Sequence, residues 1–166
     1  KNMSIGLVFP GQGSQSVGML NSFKDCQIIS DVINEAGGFL GKDFTGLINN
    51  GPSEELNLTT NTQPIMLATS YAIWKKFCVN SAIKPKVMAG HSLGEYSALL
   101  ASNVFNFNQA ISLVKFRAEV MQSAVPVGIG SMAAIIGLDH QAVEKICEQV
   151  TTDFKNKNFN KSSEVF

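Results

Sequence analysis

Two kinds of apolar pattern alternate along the chain. Short apolar runs bounded by glycine or proline read as strands, and longer segments with apolar residues three and four apart read as helices. Ile5-Gly6-Leu7-Val8-Phe9 forms the first strand, stopped by Pro10-Gly11. A helix is expected over 23–35, ended by Gly37-Gly38, then a short helix over 52–56 with Ser53 as its cap. Ile65, Ala68, Ala72, Trp74 and Phe77 recur at helical spacing, which predicts a helix over 64–77 with Trp74 in the core. Val87-Met88-Ala89 reads as a second, buried strand, and 95–101 as a helix. The next helix spans 108–123, with Ala110, Leu113, Val114, Val120 and Met121 mostly on one side. Strands followed repeatedly by helices argue for an α/β fold with a parallel sheet.

The pattern shifts after Pro126. Gly128 and Gly130 form a joint, Met132-Ala133-Ala134-Ile135-Ile136 reads as a new strand, and Asp139 suits the N-cap of a helix over 140–150. This pair opens a second small domain. The tail from Asp153 is rich in Lys, Asn and Ser, and is expected to be disordered at its end because it buries little surface.

Composition narrows the classes. The 166 residues are enough for one domain with a real core. Thirteen Lys and Arg balance thirteen Asp and Glu, so the basic face of a nucleic-acid binder is not expected. No apolar stretch approaches the roughly 20 residues of a membrane-spanning helix, and no signal-peptide pattern opens the chain. Cys26, Cys78 and Cys147 are odd in number and form no CxxC pair. That suits reduced thiols in a cytoplasmic protein, buried or half-buried and without chemistry. With two histidines and no ligand cluster, no metal site is expected.

Three segments carry candidate chemistry. Gly90-His91-Ser92-Leu93-Gly94 sits between the second strand and a helix, as a G-x-S-x-G nucleophile elbow does. There the serine hydroxyl is held out of the sheet, beside backbone N–H groups at the positive end of a helix. The other reading is a glycine-rich turn whose serine caps the helix. Gly11-Gln12-Gly13-Ser14-Gln15 follows the first strand, and loops at strand C-terminal ends share one edge of an open α/β sheet. The N–H groups of Gln12 and Leu93 then form a two-donor oxyanion hole. The competing phosphate-loop reading lacks both G-x-G-x-x-G and a following Lys-Ser/Thr. Arg117, among apolar neighbours, is either an exposed helix-face residue or a buried anion clamp.

Taken with Phe9-Pro10, Thr62-Gln63-Pro64, Glu95-Tyr96-Ser97, Met121-Gln122 and Met132 to Leu138, these segments resemble the malonyl-CoA:acyl carrier protein transacylase family of fatty-acid synthesis. The resemblance covers about the first 150 residues. It implies an α/β-hydrolase-like core with a parallel sheet, plus the start of an inserted ferredoxin-like small domain. Residues 1–126 are then the N-terminal part of the core and 127–166 the beginning of the insert, the rest of the family's chain being absent. By resemblance, Ser92 is the nucleophile and the N–H groups of Gln12 and Leu93 are the oxyanion hole. Arg117 pairs with the malonyl carboxylate, and Met121 and His91 line the substrate pocket. The implied substrate is malonyl-CoA, with no bound cofactor. The implied partner is acyl carrier protein, met by a basic rim drawn from Lys75, Lys76, Lys84, Lys86 and Lys115. A monomer is expected for the complete protein, with neither nucleic acid nor membrane as partner.

One element departs from the family. Its general base is a histidine well downstream of the insert, and the two histidines here are His91 and His140. His91 adjoins the nucleophile and reads as a pocket-wall or structural residue; His140 reads as surface. Neither is carried over as the base, and a serine without one is a weak nucleophile. Asn158-Phe159-Asn160 resembles a strand motif of the insert, but Lys161-Ser162-Ser163 departs from it. The chain therefore reads as the N-terminal part of a longer protein, with a short inactive relative as the other reading. Such a part alone leaves sheet edges and apolar surface uncovered, so poor stability or association with the missing half is expected. A serine hydrolase and a non-catalytic carrier-binding remnant are the competing functions.

Overall fold

The structure, a computed structural model, describes residues 5–124 and 135–162, the last six by their backbone alone. The chain divides into two units, Lys1–Val127 and Gly128–Phe166.

The first unit holds strands β1 (Gly6–Phe9) and β2 (Val87–Gly90) and helices α1 (Gln27–Leu40), α2 (Phe44–Asn50), α3 (Ser53–Leu56), α4 (Thr59–Asn80), α5 (Leu93–Ala101) and α6 (Phe107–Ala124). β1 and β2 pair in parallel, Gly6 with Val87 through Phe9 with Gly90. Parallel neighbours need a crossover, and α1 to α4 supply it. The fold is thus α/β with a small parallel sheet and many helices, as the alternating pattern implied.

α4 is the centre of the core. Every residue from Asn61 to Ser70 is buried, because α1, α5 and α6 all pack on it. A helix covered on all sides has no polar stripe. Ile65 and Leu67 of α4 join Val32 and Ile33 of α1, Phe44 of α2, Leu93 and Leu100 of α5, and Ile111 and Val114 of α6 in one apolar cluster. The strands are less covered than their apolar sequence predicts. Leu7, Phe9 and Met88 pack against Ala98, Ala101 and Trp74, but Val8 is 80% and Val87 66% exposed. Parallel sheets are usually covered on both faces; among the described residues, helices cover one. Trp74 is accordingly half-buried, stacked on Phe77 with ring centroids 5.7 Å apart.

Several expected boundaries move, each for a local reason. α1 does not end at Gly37-Gly38 but runs to Leu40, where Gly41 closes it in the left-handed region at φ 65°. Gly37 is there for close approach: a Cβ would lie 2.5 Å from the Lys42 carbonyl oxygen. α2, which the apolar pattern did not signal, is capped by Asp43 accepting from the Gly46 N–H at 2.8 Å. Ser53 is the first helical residue of α3, not its cap, which is Pro52. α4 begins at Thr59, five positions before Pro64. The missing proline N–H forfeits one bond near the helix start, while Thr62 Oγ1 donates to the Leu56 carbonyl at 2.6 Å. α6 opens on a reciprocal box, with the Gln109 N–H donating to Asn106 Oδ1 and the Asn106 N–H to Gln109 Oε1. Its buried stripe is Ala110, Ile111, Val114 and Ala118; Leu113 and Val120 face outward. Of the cysteines, only Cys26 is half-buried, while Cys78 and Cys147 are exposed, which corrects the burial expected for them.

The second unit is described from residue 135. Asp139 does cap its helix, accepting from the Ala142 N–H at 2.8 Å. That helix, α7 (His140–Ser162), runs well past residue 150. Val143, Ile146, Cys147, Val150 and Phe154 continue a helical spacing that the polar tail obscures. Asn158-Phe159-Asn160 consequently lies in helix rather than strand. Of the strand expected over 132–136, residues 132–134 lie outside the described residues, and Ile135 and Ile136 are not in a strand.

Candidate active site

The site is built where β2 ends and α5 begins. Only His91 and Ser92 separate the two elements, so the backbone must reverse sharply. Ser92 takes the strain, with φ 53° and ψ −111°, a region sparsely populated by residues with a side chain. The flanking glycines make the turn possible. A Cβ on Gly90 would lie 1.9 Å from the Gly94 carbonyl carbon, and one on Gly94 would lie 2.2 Å from the Phe9 carbonyl oxygen. No side chain fits at either point, so α5 packs directly on the C-terminal ends of both strands. Ser92 occupies the N-cap position but its side chain caps nothing. Its hydroxyl instead accepts from Arg117 Nη2 at 2.8 Å. The capping-serine reading is therefore not what the structure shows.

The first glycine loop lies against this turn. Gly11 is buried, and a Cβ there would lie 2.7 Å from the His91 carbonyl oxygen and 3.3 Å from its Nδ1. The loop is tied to the α3–α4 segment by Gln12 Nε2 donating to Thr59 Oγ1 and Gln15 Nε2 donating to Asn57 Oδ1, both at 2.8 Å. The Gly13 N–H donates to Gln15 Oε1 at 2.8 Å. No hydrogen bond among the described residues uses the N–H of Gln12 or of Leu93. For Leu93 this follows from its place in the first turn of α5, where backbone donors have no intrahelical partner.

Arg117 comes to the site from α6. Its Nη1 donates to Gln63 Oε1 and its Nη2 to Ser92 Oγ, and its Cζ stands 5.5 Å from the Tyr96 ring centroid. The ion pairs among the described residues are Lys115 with Glu119 and His140 with Glu144, so no carboxylate there neutralises Arg117. It is a half-buried cation one hydrogen bond from a strained serine, not an exposed face residue.

The other expected site residues are distributed unevenly. Met121 joins the group through its sulfur, which accepts from Gln63 Nε2 at 3.3 Å. His91 is exposed and bonds through its backbone, its N–H to the Phe9 carbonyl at 3.4 Å and its carbonyl to the Gly94 N–H at 2.8 Å. Lys75, Lys84, Lys86 and Lys115 are exposed and Lys76 half-buried. Lys75 lies 5.8 Å from the Tyr71 ring centroid. Gln63 and Tyr96 are the participants that residue-by-residue reading missed. The signal for Gln63 was a polar run, Asn61-Thr62-Gln63, leading into an apolar helix without a turn to explain it. The groove beside β1, lined by Val8, Met66, Ile73 and Trp74, contains none of these residues.

Comparison with known proteins places the chain in a family. The acyl transferase domain family matches residues 7–158. The malonyl CoA-acyl carrier protein transacylase of Salmonella typhimurium is 50% identical over 143 residues, 86% of this chain and 46% of that protein. The Bacillus subtilis (strain 168) protein of the same name is 43% identical over 150 residues, 90% of this chain and 47% of its own. The chain thus spans about half the length of the curated relatives it matches. Among solved structures, the acyl-carrier-protein S-malonyltransferase of Burkholderia pseudomallei superposes with a TM-score of 0.80 at 51% identity, covering 90% of this chain and 49% of the other. A malonyl-transacylase solved with its type II PKS acyl-carrier protein gives 0.81 at 46% identity, covering 89% and 48%. A match that runs from β1 into α7 and takes in both glycine-rich turns leads to one assignment: this chain belongs to the acyl transferase domain family.

Proposed function

We propose that this chain carries the nucleophile and the acyl-group clamp of a malonyl-CoA:acyl carrier protein transacylase acting in fatty-acid synthesis. The observation that carries the reading is the 2.8 Å contact between Arg117 Nη2 and Ser92 Oγ. A guanidinium with no carboxylate partner among the described residues stands where an acyl group on Ser92 would end. Its planar fork matches a carboxylate bidentately, so a malonyl group satisfies it and an acetyl group leaves it unpaired.

The chemistry is two exchanges at one carbonyl. Ser92 Oγ attacks the malonyl thioester carbon, the C–S bond breaks, and coenzyme A leaves as the thiol with the serine proton. The phosphopantetheine thiol of the carrier then attacks the serine ester, the C–O bond breaks, and the proton returns to Ser92. Both tetrahedral intermediates place negative charge on the former carbonyl oxygen. The N–H groups of Gln12 and Leu93 are the proposed donors to it, supported by their freedom from other acceptors among the described residues and by the positive end of α5. Met121 and His91 are read as pocket walls, and the substrate as malonyl-CoA with no bound cofactor.

The carrier as partner is supported by the similar malonyl-transacylase solved with its own acyl-carrier protein. In this reading residues 1–126 are the first part of an α/β-hydrolase-like core in a cytoplasmic enzyme, and 127–166 begin a ferredoxin-like insert.

Intact mass of the purified protein before and after malonyl-CoA tests the reading. A malonyl-sized increase that Ser92→Ala abolishes is expected. No increase in a full-length protein overturns it, no increase from these 166 residues alone marks a part lacking its general base, and release of free malonate in step with coenzyme A points to a hydrolase instead.

A further inference from the structure

Gln63 is fully buried, at 0% exposure, and its amide joins two unlike groups. Its Oε1 accepts from Arg117 Nη1 and its Nε2 donates to the Met121 sulfur at 3.3 Å. Arginine offers only donors, so the amide oxygen must face it. That leaves the amide nitrogen facing a thioether, a weak acceptor with no proton to offer the amide oxygen. Gln63 itself cannot shift, because the turn of α4 around it is buried and packed against α6. Arg117 is therefore held at one terminal nitrogen by a rigid amide, and its other terminal nitrogen reaches Ser92.

The anchor is neutral, and that choice matters. A carboxylate at position 63 would accept from Arg117 more strongly, yet it would cancel the guanidinium charge at the place where the acyl group must end. An amide fixes the fork and leaves the full positive charge available. We propose that Gln63 is a positioning residue that sets the charge selectivity of the site: it holds Arg117 against Ser92 through a neutral acceptor, so that acyl groups ending in a carboxylate are favoured over neutral ones. This rests on the reading above that Ser92 becomes acylated.

Two variants separate position from charge. Gln63→Glu keeps the acceptor and the side-chain size, and beside a guanidinium its carboxyl is ionised at neutral pH. Gln63→Met keeps the volume but removes the acceptor. Each is read in two ways: by the nitrogen-15 NMR signals of the Arg117 guanidinium, and by rates of malonyl- and acetyl-serine formation from the two coenzyme A esters, followed by intact mass. In wild type and Gln63→Glu the two terminal nitrogens are expected to give resolved signals, as for a fork held by acceptors. In Gln63→Met they are expected to average. The malonyl-to-acetyl rate ratio is expected to fall by about tenfold or more in Gln63→Glu, despite the retained anchor. Resolved, wild-type signals in Gln63→Met overturn the positioning role, and an unchanged rate ratio in Gln63→Glu overturns the charge role. If the full-length wild-type protein is never acylated, the proposed function fails, and the guanidinium signals alone then decide the positioning. Should Gln63→Met not fold, Gln63→Leu, which also lacks an acceptor, takes its place in the test of positioning, and should Gln63→Glu not fold, Gln63→Asp takes its place in the test of charge.

Discussion

Arg117 and Ser92 are 25 positions apart in the chain, yet the guanidinium Nη2 lies 2.8 Å from the serine Oγ. The contact is assembled by packing. α5 starts at the elbow and α6 returns beside it, both resting on α4, and the amide of Gln63 on α4 receives the other end of the guanidinium. The three helices thus bring one strained hydroxyl, one cation and one neutral amide into a single bonded group.

Arg117→Ala removes the cation and is expected to lower malonyl transfer while improving acetyl transfer relative to it, changing the ratio by about a hundredfold or more. Arg117→Lys keeps the charge but not the fork. One ammonium cannot serve Gln63 and Ser92 with the same planar geometry, so an intermediate ratio is expected. Parallel rate measurements with malonyl-CoA and acetyl-CoA check both; an unchanged ratio in the alanine variant removes Arg117 from the acyl-binding role.

Ser92 holds a φ of 53° that only glycine adopts without cost. Ser92→Gly should therefore be more stable than Ser92→Ala by about 1 kcal/mol, although glycine is the poorer residue in ordinary helices. Both variants should fail to take up a malonyl group. Urea midpoints of the pair check the order, and a more stable alanine variant would show that the turn is unstrained.

Gly94 and Gly13 separate two reasons for a glycine. A Cβ at Gly94 meets the Phe9 carbonyl oxygen at 2.2 Å, whereas one at Gly13 meets nothing within 4 Å although φ is 107°. Gly94→Ala pushes backbone against backbone and is expected to cost about 3 kcal/mol. Gly13→Ala pays only for its dihedral, about 1 kcal/mol. Equal losses of stability on urea unfolding would contradict the close packing of α5 on β1.

Leu67 lies in the wholly buried part of α4. Leu67→Ala leaves a cavity inside the apolar cluster around α4, with an expected loss of about 3 kcal/mol. A loss below about 1 kcal/mol, measured by denaturant unfolding, would mean that α4 is not the centre of the core.

Tyr71 gives the fold an alkaline limit. Burial first, then the charges of Glu35 and Cys78, holds its phenol above the ordinary value of 10.0. The folded state therefore binds this proton more tightly than the unfolded chain. Its contribution is complete below pH 10.0 and is lost as pH rises through the raised value. Tyr71→Phe should flatten that part of the stability curve, as urea midpoints at rising alkaline pH would record.

The local pattern was enough for those features in which neighbours in sequence decide the outcome. Both strands of the sheet, the elbow around Ser92 and the Asp139 cap depend on short runs and on one or two special residues. The Ser92 turn was legible because G-x-S-x-G between a strand and a helix has few geometric solutions. Helix ends were less legible. Gly37 looks like a stop, but it is a place where Lys42 passes too close for a Cβ, and Pro64 looks like a start although the helix already runs through it. In both cases a packing partner outweighed local propensity.

The sequence by itself therefore determined the strand-and-helix alternation, the sharp turn at Ser92 and, by resemblance, the family. Only the tertiary structure decided that Arg117 reaches Ser92, that Gln63 fixes it there with a neutral acceptor, and that the helices among the described residues cover one face of the sheet. Strand-forming runs, turn type and capping are set within a few residues of backbone. The meeting of Ser92, Gln63 and Arg117 is set by how three helices pack, a relation between side chains far apart in the chain that no local periodicity encodes.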